Sequence, residues 1–136
     1  MSTLIMVVDD NHKRFRKFQN KLKYPGVRII HAQNEDDFFF YFHNQSNDIP
    51  DIIFLDHDLS ILDADHNTKR IVLRLIEQKE MFANTQFVVH SLNDFGGAEI
   101  YLQLKEAGFN ARREKGAYEY VNWNRDGTEL TFNRIF

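Results

Sequence analysis

The sequence predicts an α/β fold in which a parallel β-sheet is covered by helices on both faces. Short apolar runs, typical of strands buried on both sides, alternate with segments whose apolar residues recur at helical spacing. Three of these runs end directly in acidic or imidazole side chains, as strands of ligand-binding parallel sheets often do. The repeated strand-helix order predicts right-handed crossovers. The predicted strands lie at residues 4–8, 27–32, 52–55 and 87–89.

The first predicted helix is basic and amphipathic. It spans residues 11–23 and ends at a Pro-Gly pair, residues 25–26. Residues 11–34 contain seven Lys or Arg and no acid. This charge predicts either a solvated helix face or a rim that attracts phosphate. The apolar positions that define the helix are Phe15, Phe18 and Leu22.

The second helical segment has a competing interpretation. Asn34 and Asp37 have the spacing of a helix capping box, which predicts a helix through Phe42. The five consecutive aromatic residues at 38–42 suit a strand equally well.

The second half of the chain predicts two more helices and a hairpin. One helix has its apolar residues on one face, and the next opens at residues 95–97 and closes at Gly108. Residues 118–123 and 128–132 read as two strands around a turn. The apolar face of the first of these helices comprises Ile71, Val72, Leu75 and Ile76.

Length and composition predict one domain, residues 1–136, with its own core. The chain is 43% hydrophobic and has 13 Phe, which is enough apolar surface for a globular domain. Because the chain has no Cys, any metal must be held by carboxylate, imidazole or carbonyl groups. The longest apolar run is only a few residues, so we expect no membrane association and a cytoplasmic location.

Polar side chains follow three predicted strands where each strand ends. Asp9 and Asp10 follow the first, Asp56-His57-Asp58 the third, and His90 the fourth. If these strands are neighbours, the carboxylates gather at one edge of the sheet and need a counter-cation. Mg²⁺ or Mn²⁺ is the simplest one. Strand alternation would place Asp56 and Asp58 on one side and His57 on the other.

Structural interpretations compete with these functional ones. Asp10 can serve only as a helix cap, and an isolated His90 is often a hydrogen-bonded core residue. Ser91 and Asn93 can hold a phosphoryl oxygen or cap a helix. The following glycines would let backbone amides approach an anion at the helix start. These glycines are Gly96 and Gly97.

Two further groups of residues remain open. Asp63, Asp65 and His66 are read as ordinary loop residues in preference to site residues. The aromatic residues near the end of the chain can stack on a nucleobase, although such residues are more often core. They are Tyr118, Tyr120 and Trp123.

Over residues 3–109 the chain resembles the receiver domains of response regulators. The resemblance is carried by the acidic pair after the first strand, by Asp56 at the phospho-acceptor position, and by Ser91 after the fourth strand. It implies a flavodoxin-like (CheY-like) sandwich with strand order 2-1-3-4-5, here followed by a hairpin. Receivers also carry a Lys-Pro pair after the fifth strand. Here Lys115 is followed by Gly116.

Three segments are similar to a receiver offshoot that is thought to process cyclic phosphates. They are Asp9-Asp10 with Arg14, Leu55-Asp56-His57-Asp58-Leu59, and His90-Ser91-Leu92-Asn93 with Gly96-Gly97. The resemblance implies a metal-dependent phosphoesterase acting on a cyclic phosphate of a nucleotide or an RNA end.

In that function each group has an implied role. Asp9, Asp10, Asp56 and Asp58 would hold Mg²⁺ or Mn²⁺, and His57, His90 and Asp58 would be catalytic. The phosphate would be bound by Arg14, Ser91, Asn93, Gly96 and Gly97. The alternatives are a phospho-acceptor module modified at Asp56 and a non-catalytic binder of a nucleotide or a protein. The oligomeric state stays open.

Overall fold

The computed structural model describes residues 2–44, 46–58 and 68–133. Its main sheet has five parallel strands in the order β2-β1-β3-β4-β5, which confirms the predicted topology. Helices alternate with the strands along the chain. The strands are β1 (Thr3–Val8), β2 (Val27–Ala32), β3 (Ile52–Leu55), β4 (Gln86–Val89) and β5 (Asn110–Arg113), and the helices are α1 (His12–Leu22), α2 (Glu35–His43), α3 (Lys69–Glu77) and α4 (Asp94–Glu106).

Each face of the sheet has its own core. Alternate side chains of β1 point to opposite faces, so Met6 packs in one apolar cluster and Val7 in the other. The first cluster includes buried residues of α2, α3 and α4. The second contains Phe18 of α1 together with Tyr118 and Val121 from the end of the chain. Among the described residues, no helix has the length and apolar character needed to cross a bilayer.

The aromatic segment at residues 38–42 is helical. Asn34 caps α2, because its side-chain oxygen accepts a hydrogen bond from the amide of Asp37 at 2.8 Å. Three acidic residues in the first turn stabilise the helix, because their negative charges interact favourably with the positive end of the helix dipole. Phe38 is fully buried against the core, whereas Phe40 is exposed. Burial of one side of the segment and a good cap therefore outweigh its β propensity.

The predicted antiparallel hairpin is present, but both of its strands are shorter than predicted. The hairpin consists of β6 (Val121–Trp123) and β7 (Leu130–Phe132). The preceding residues Ala117–Glu119 form a 3-10 helix instead of strand. Gly116 precedes it with φ of 70°, a conformation that favours glycine. The hairpin packs beside α1.

Candidate functional site

Three strand ends meet at one edge of the sheet. The ladder continues one residue beyond the strands, since the amide of Asp56 donates to the Val8 carbonyl and that of His90 donates to the Leu55 carbonyl, both at 3.0 Å. Asp56 therefore lies between Asp9, at the end of β1, and His90, at the end of β4. Carboxylate oxygens of Asp9, Asp10 and Asp56 all lie within 4.8 Å of one another. The predicted gathering of acidic groups is present.

Asp9 is fully buried, and three residues make hydrogen bonds to its carboxylate. Arg14 donates to both of its oxygens, from Nε to Oδ2 and from Nη2 to Oδ1, each at 2.8 Å. The amide of Asn11 donates to Oδ1 at 2.9 Å, and Nε2 of His90 is 2.8 Å from Oδ2. Burial alone raises the pKa of Asp9, but the bonds from His90 and Arg14 outweigh it and lower this pKa to about 2.

His90 faces the protein core and not solvent. It is 1% exposed, and its ring makes edge contacts with the rings of Phe18 and Phe54. Its Nε2 is bonded to Asp9, while its Nδ1 has no hydrogen-bond partner in the described part of the chain. Such a histidine can orient Asp9, but it cannot meet a substrate in this conformation. In this structure His90 therefore contacts Asp9, and its role as a catalytic proton carrier stays a prediction.

The other two aspartates of the group have raised pKa values. Burial is the main cause for both Asp10 and Asp56, and the nearby charge of Asp9 adds to it. The pKa of Asp56 reaches about 6. Arg14 opposes these shifts, since its Nη2 lies 3.2 Å from Asp56 and 3.6 Å from Asp10. One guanidinium does not neutralise three carboxylates, so the pocket keeps room for a further positive charge.

His57 and Asp58 form a pair just after β3. Nδ1 of His57 lies 2.6 Å from Oδ1 of Asp58. Because an ionised carboxylate only accepts, Nδ1 is the donor and Nε2 is the nitrogen left to exchange a proton. Asp56 and Asp58 line the same cavity and His57 does not, as strand alternation predicted, although β3 itself ends at Leu55.

Asn93 joins this pair to the start of α4. Its Nδ2 lies 3.3 Å from Oδ2 of Asp58 and 3.4 Å from Nδ1 of His57. Its Oδ1 accepts a hydrogen bond from the Gly96 amide at 2.9 Å, which makes it the N-cap of the helix. Oγ of Ser91 accepts from the Asn93 amide at 3.1 Å. One side chain therefore fixes the loop after β3 against the helix.

Gly96 and Gly97 have structural partners. The Gly96 amide donates to the Asn93 side chain, and the Gly97 amide donates to the Asn93 carbonyl at 2.8 Å. Both amides are therefore engaged by Asn93 at the helix start, and their role in phosphate binding stays a prediction. Gly96 instead makes room for His57, because a Cβ built on it would lie 2.4 Å from Cγ of the imidazole ring.

A cavity of about 270 Å³ opens over the acidic group. Six of its lining residues were predicted for the site, namely Asp10, Arg14, Asp56, Asp58, Ser91 and Asn93. Asp9, His57 and His90 do not line it. The other two lining residues, Asn11 and Leu92, were not predicted for the site. For Asn11 the signal was its position as N-cap directly after the acidic pair.

A second cavity, of about 530 Å³, lies next to the first and shares Leu92 with it. Most of its lining comes from the chain after β5, including Tyr120, Asn122 and Thr131. Two lysines, Lys21 and Lys115, supply positive charge. The volume is typical of a site for a small organic ligand. The other lining residues are Gly116, Tyr118, Glu119 and Asn133.

Two other candidates, Lys115 and Trp123, lie outside the acidic cavity. Lys115 lines the second cavity and donates to Asp94 at 2.8 Å, so it does not line the acidic cavity. Trp123 donates from its indole to the Leu22 carbonyl at 2.8 Å and is a packing residue. The candidates Asp63, Asp65 and His66 lie outside the described residues.

Comparison with known families decides the relationship. The sequence profile described as Cyclic-phosphate processing Receiver domain matches residues 4–106. The chain belongs to this family. The hairpin and most of the second cavity lie beyond the matched range. No curated protein matches the chain at a significant level.

Solved response regulators share the fold of this receiver domain. The phosphorylated cyanobacterial phytochrome response regulator RcpA is 16% identical, with 88% of this chain and 85% of that chain covered and a TM-score of 0.65. The Mn²⁺-bound response regulator Rcp1 is 15% identical over 80% and 78%, with a TM-score of 0.61. A response regulator from Thermotoga maritima is 21% identical over 82% of each chain, with a TM-score of 0.55. At these identities the similarity shows the fold alone.

Proposed function

We propose that this receiver domain is a phosphoesterase that opens a cyclic phosphate of a nucleotide or of an RNA end. The observation that carries the proposal is the acidic cavity, which is lined by the Arg14 guanidinium and three carboxylates, one of which, Asp58, is paired with His57. The match to the cyclic-phosphate processing family supports the same substrate class. In this reaction water attacks phosphorus, one ring P–O bond breaks, and the departing oxygen takes a proton.

The residues of the cavity fit a divalent cation in part. Asp10 and Asp56 line the cavity and would hold Mg²⁺ or Mn²⁺, with Asp58 in reach of the same space. Asp9, also predicted as a ligand, has both oxygens engaged by Arg14 and its neighbours. When bound, such an ion would neutralise the phosphate and favour ionisation of a water. The related fold of Rcp1 binds Mn²⁺, which supports this ion class here.

The chain's own residues supply charge and proton transfer. Arg14 contributes one fixed positive charge for the phosphoryl oxygens, and Asn93 contributes an amide at the same cavity. His57, oriented through Nδ1 by Asp58, keeps Nε2 as base for the water or acid for the departing oxygen. Asp58 is thus a positioning residue for His57.

The second cavity supports a nucleotide in preference to a bare phosphate ester. It adjoins the acidic cavity at Leu92, so a ligand with its phosphate in one can place its nucleoside in the other. Side-chain amide, hydroxyl and phenol groups suit the edges of a base and the hydroxyls of a ribose. The two lysines suit a further phosphate of an RNA end.

A substrate panel tests the proposal. The four nucleoside 2',3'-cyclic phosphates, 3',5'-cyclic nucleotides and linear monophosphates are incubated with the chain, with Mg²⁺, with Mn²⁺ and with EDTA. We expect turnover of a cyclic phosphate that needs the divalent ion and is lost in His57→Ala. The matched control is His43→Ala, which changes an exposed histidine of α2. Binding of a cyclic phosphate with no product formed, in the presence of either Mg²⁺ or Mn²⁺, would contradict catalysis and support a non-catalytic binder.

A phospho-acceptor module is the second candidate, favoured by the position of Asp56 at the end of β3 in a fold shared with phosphorylated RcpA. Acetyl phosphate and Mg²⁺ followed by intact mass measurement distinguish it. A labile phosphoryl adduct that is absent in Asp56→Asn supports this candidate. The Lys-Pro pair that receivers carry after the fifth strand is absent here, and Lys115 does not line the acidic cavity, which disfavours this candidate.

A further inference from the structure

One nitrogen of Arg14 occupies the centre of the acidic group. Nη2 lies 2.8 Å from Oδ1 of Asp9, 3.2 Å from Oδ2 of Asp56 and 3.6 Å from Oδ1 of Asp10. The same three carboxylates have oxygens within 4.8 Å of one another, the spacing of ligands around a single cation. The guanidinium therefore stands where a bridging metal ion would stand.

Asp9 has no site left for a metal ion. Each of its oxygens receives two hydrogen bonds, Oδ1 from Asn11 and Arg14, and Oδ2 from Arg14 and His90. A carboxylate offers about four acceptor positions, so a metal ligand bond would replace one of these contacts. Because Asp9 is fully buried, losing such a contact is costly.

Arg14 is held firmly in this position. Its backbone amide donates to the side chain of Asn11, the N-cap of α1, at 3.0 Å. Its side chain makes a bidentate pair of hydrogen bonds with the Asp9 carboxylate, which fixes the orientation of the guanidinium. The bond to Asp9 also raises the pKa of Arg14, so its charge persists at every working pH.

We propose that Arg14 is the resident cation of the acidic pocket and keeps a divalent ion out of the position shared by Asp9, Asp10 and Asp56. A divalent ion then has only the outer oxygens of Asp10 and Asp56 for ligands, so the free chain binds Mg²⁺ and Mn²⁺ weakly. Phosphate oxygens complete the shell, which makes metal binding depend on the ligand. This inference holds whether or not the chain turns over any phosphate.

Removing the arginine tests the proposal directly. Mn²⁺ is titrated into EDTA-stripped protein by calorimetry and by the EPR signal of free Mn²⁺, for the wild type, Arg14→Ala and Arg16→Ala. Arg16 is exposed on the same helix, so its variant removes the same charge without touching the pocket. We expect Mn²⁺ affinity to rise at least about tenfold in Arg14→Ala, because a guanidinium within a few ångströms repels the ion. Arg16→Ala should change it less than about twofold.

Further measurements keep the result decisive. Arg14→Lys retains a positive charge and should retain weak Mn²⁺ binding. Inorganic phosphate should tighten Mn²⁺ binding by the wild type. If Arg14→Ala does not fold without metal, folding restored by Mn²⁺ supports the proposal, and failure with Mn²⁺ moves the comparison to Arg14→Gln. Unchanged or weaker Mn²⁺ affinity in the uncharged variant that folds would overturn it.

Discussion

Nε2 of His90 lies 2.8 Å from Oδ2 of Asp9, and neither side chain is more than 1% exposed. The contact joins the ends of β4 and β1, which are not adjacent in the sheet. In such a buried pair each side chain orients the other, and neither contacts a substrate. Asp9 in turn holds Arg14, so His90 acts on the cavity only through two other residues.

We therefore expect His90→Ala to weaken folding first. The substitution removes a hydrogen bond to a buried carboxylate and leaves a void beside Phe18 and Phe54. Together these effects should lower the free energy of unfolding by about 2–4 kcal/mol. Urea unfolding of the wild type and the variant measures the loss. His43→Ala, which removes an exposed histidine, should change it by less than about 0.5 kcal/mol. A variant as stable as the wild type would contradict the structural role of His90.

Asp56→Asn should stabilise the metal-free protein at neutral pH. Burial raises the pKa of Asp56 from 3.8 to about 6, so the folded chain holds its proton more tightly than the unfolded chain. Stability contributed by this group is complete below pH 3.8 and is lost as pH rises to about 6. The loss is at most about 3 kcal/mol. The amide of Asn cannot ionise, so the variant avoids this loss of stability, although it also lacks one carboxylate of the acidic site.

The measurement is urea unfolding between pH 4 and 8 in EDTA. The wild-type chain should lose stability across the range in which Asp56 ionises, and Asp56→Asn should show a smaller loss. Asp126→Asn, in the exposed turn of the hairpin, is the control for removing a carboxylate. Asp9 contributes in the opposite sense, because its lowered pKa gives stability that is lost as pH falls from 3.8 toward 2. Equal slopes for the two variants would refute the burial of a charged Asp56.

Four of the five strands of the sheet and the position of the site could be predicted from short-range sequence patterns. The fifth strand, Asn110–Arg113, has no apolar run and was not located, and the strand order was implied by the resemblance to receiver domains. An apolar run followed by an acid marks both a buried strand and its end, and the parallel register then places Asp9, Asp56 and His90 together. The choice of helix for residues 38–42 was left open, because the deciding factor is burial of Phe38 against helices distant in sequence.

The division of roles inside the site could not be predicted in the same way. The sequence does not show which aspartate is buried with its oxygens already hydrogen-bonded. In the structure that residue is Asp9, because Arg14 and His90 both bond its carboxylate. Nor does the sequence show that the Gly96 amide donates its hydrogen bond to the N-cap residue Asn93. These outcomes depend on competition between hydrogen-bond partners in three dimensions.

Asn122→Ala tests the second cavity. Asn122 lies on β6 and lines that cavity, away from the acidic groups. If a nucleoside binds there, the variant should raise KM for a nucleoside cyclic phosphate about three- to tenfold while kcat stays within about twofold. Steady-state kinetics measure both. Asn84→Ala, an exposed residue before β4, is the control. Equal KM values for the two variants would contradict the binding of a nucleoside in this cavity.

Gly96 and Gly97 provide a matched pair of substitutions in the first turns of α4. Alanine favours a helix over glycine by up to about 1 kcal/mol at either position. A Cβ at Gly97 would lie 3.2 Å from Nε of Arg113, a long side chain that can shift. A Cβ at Gly96 would lie 2.4 Å from Cγ of the His57 ring, which must move away.

We therefore expect Gly97→Ala to keep the activity within about twofold and Gly96→Ala to lower it at least about tenfold, since an ångström of misplacement in a reacting group is that costly. The imidazole nitrogen signals of His57 in two-dimensional NMR report the ring directly, even without a known substrate. They should shift in Gly96→Ala and stay in place in Gly97→Ala. Because both variants gain the same helix propensity, a shift confined to Gly96→Ala isolates the contact with His57. Identical spectra for the two variants would show that the ring does not pack on Gly96.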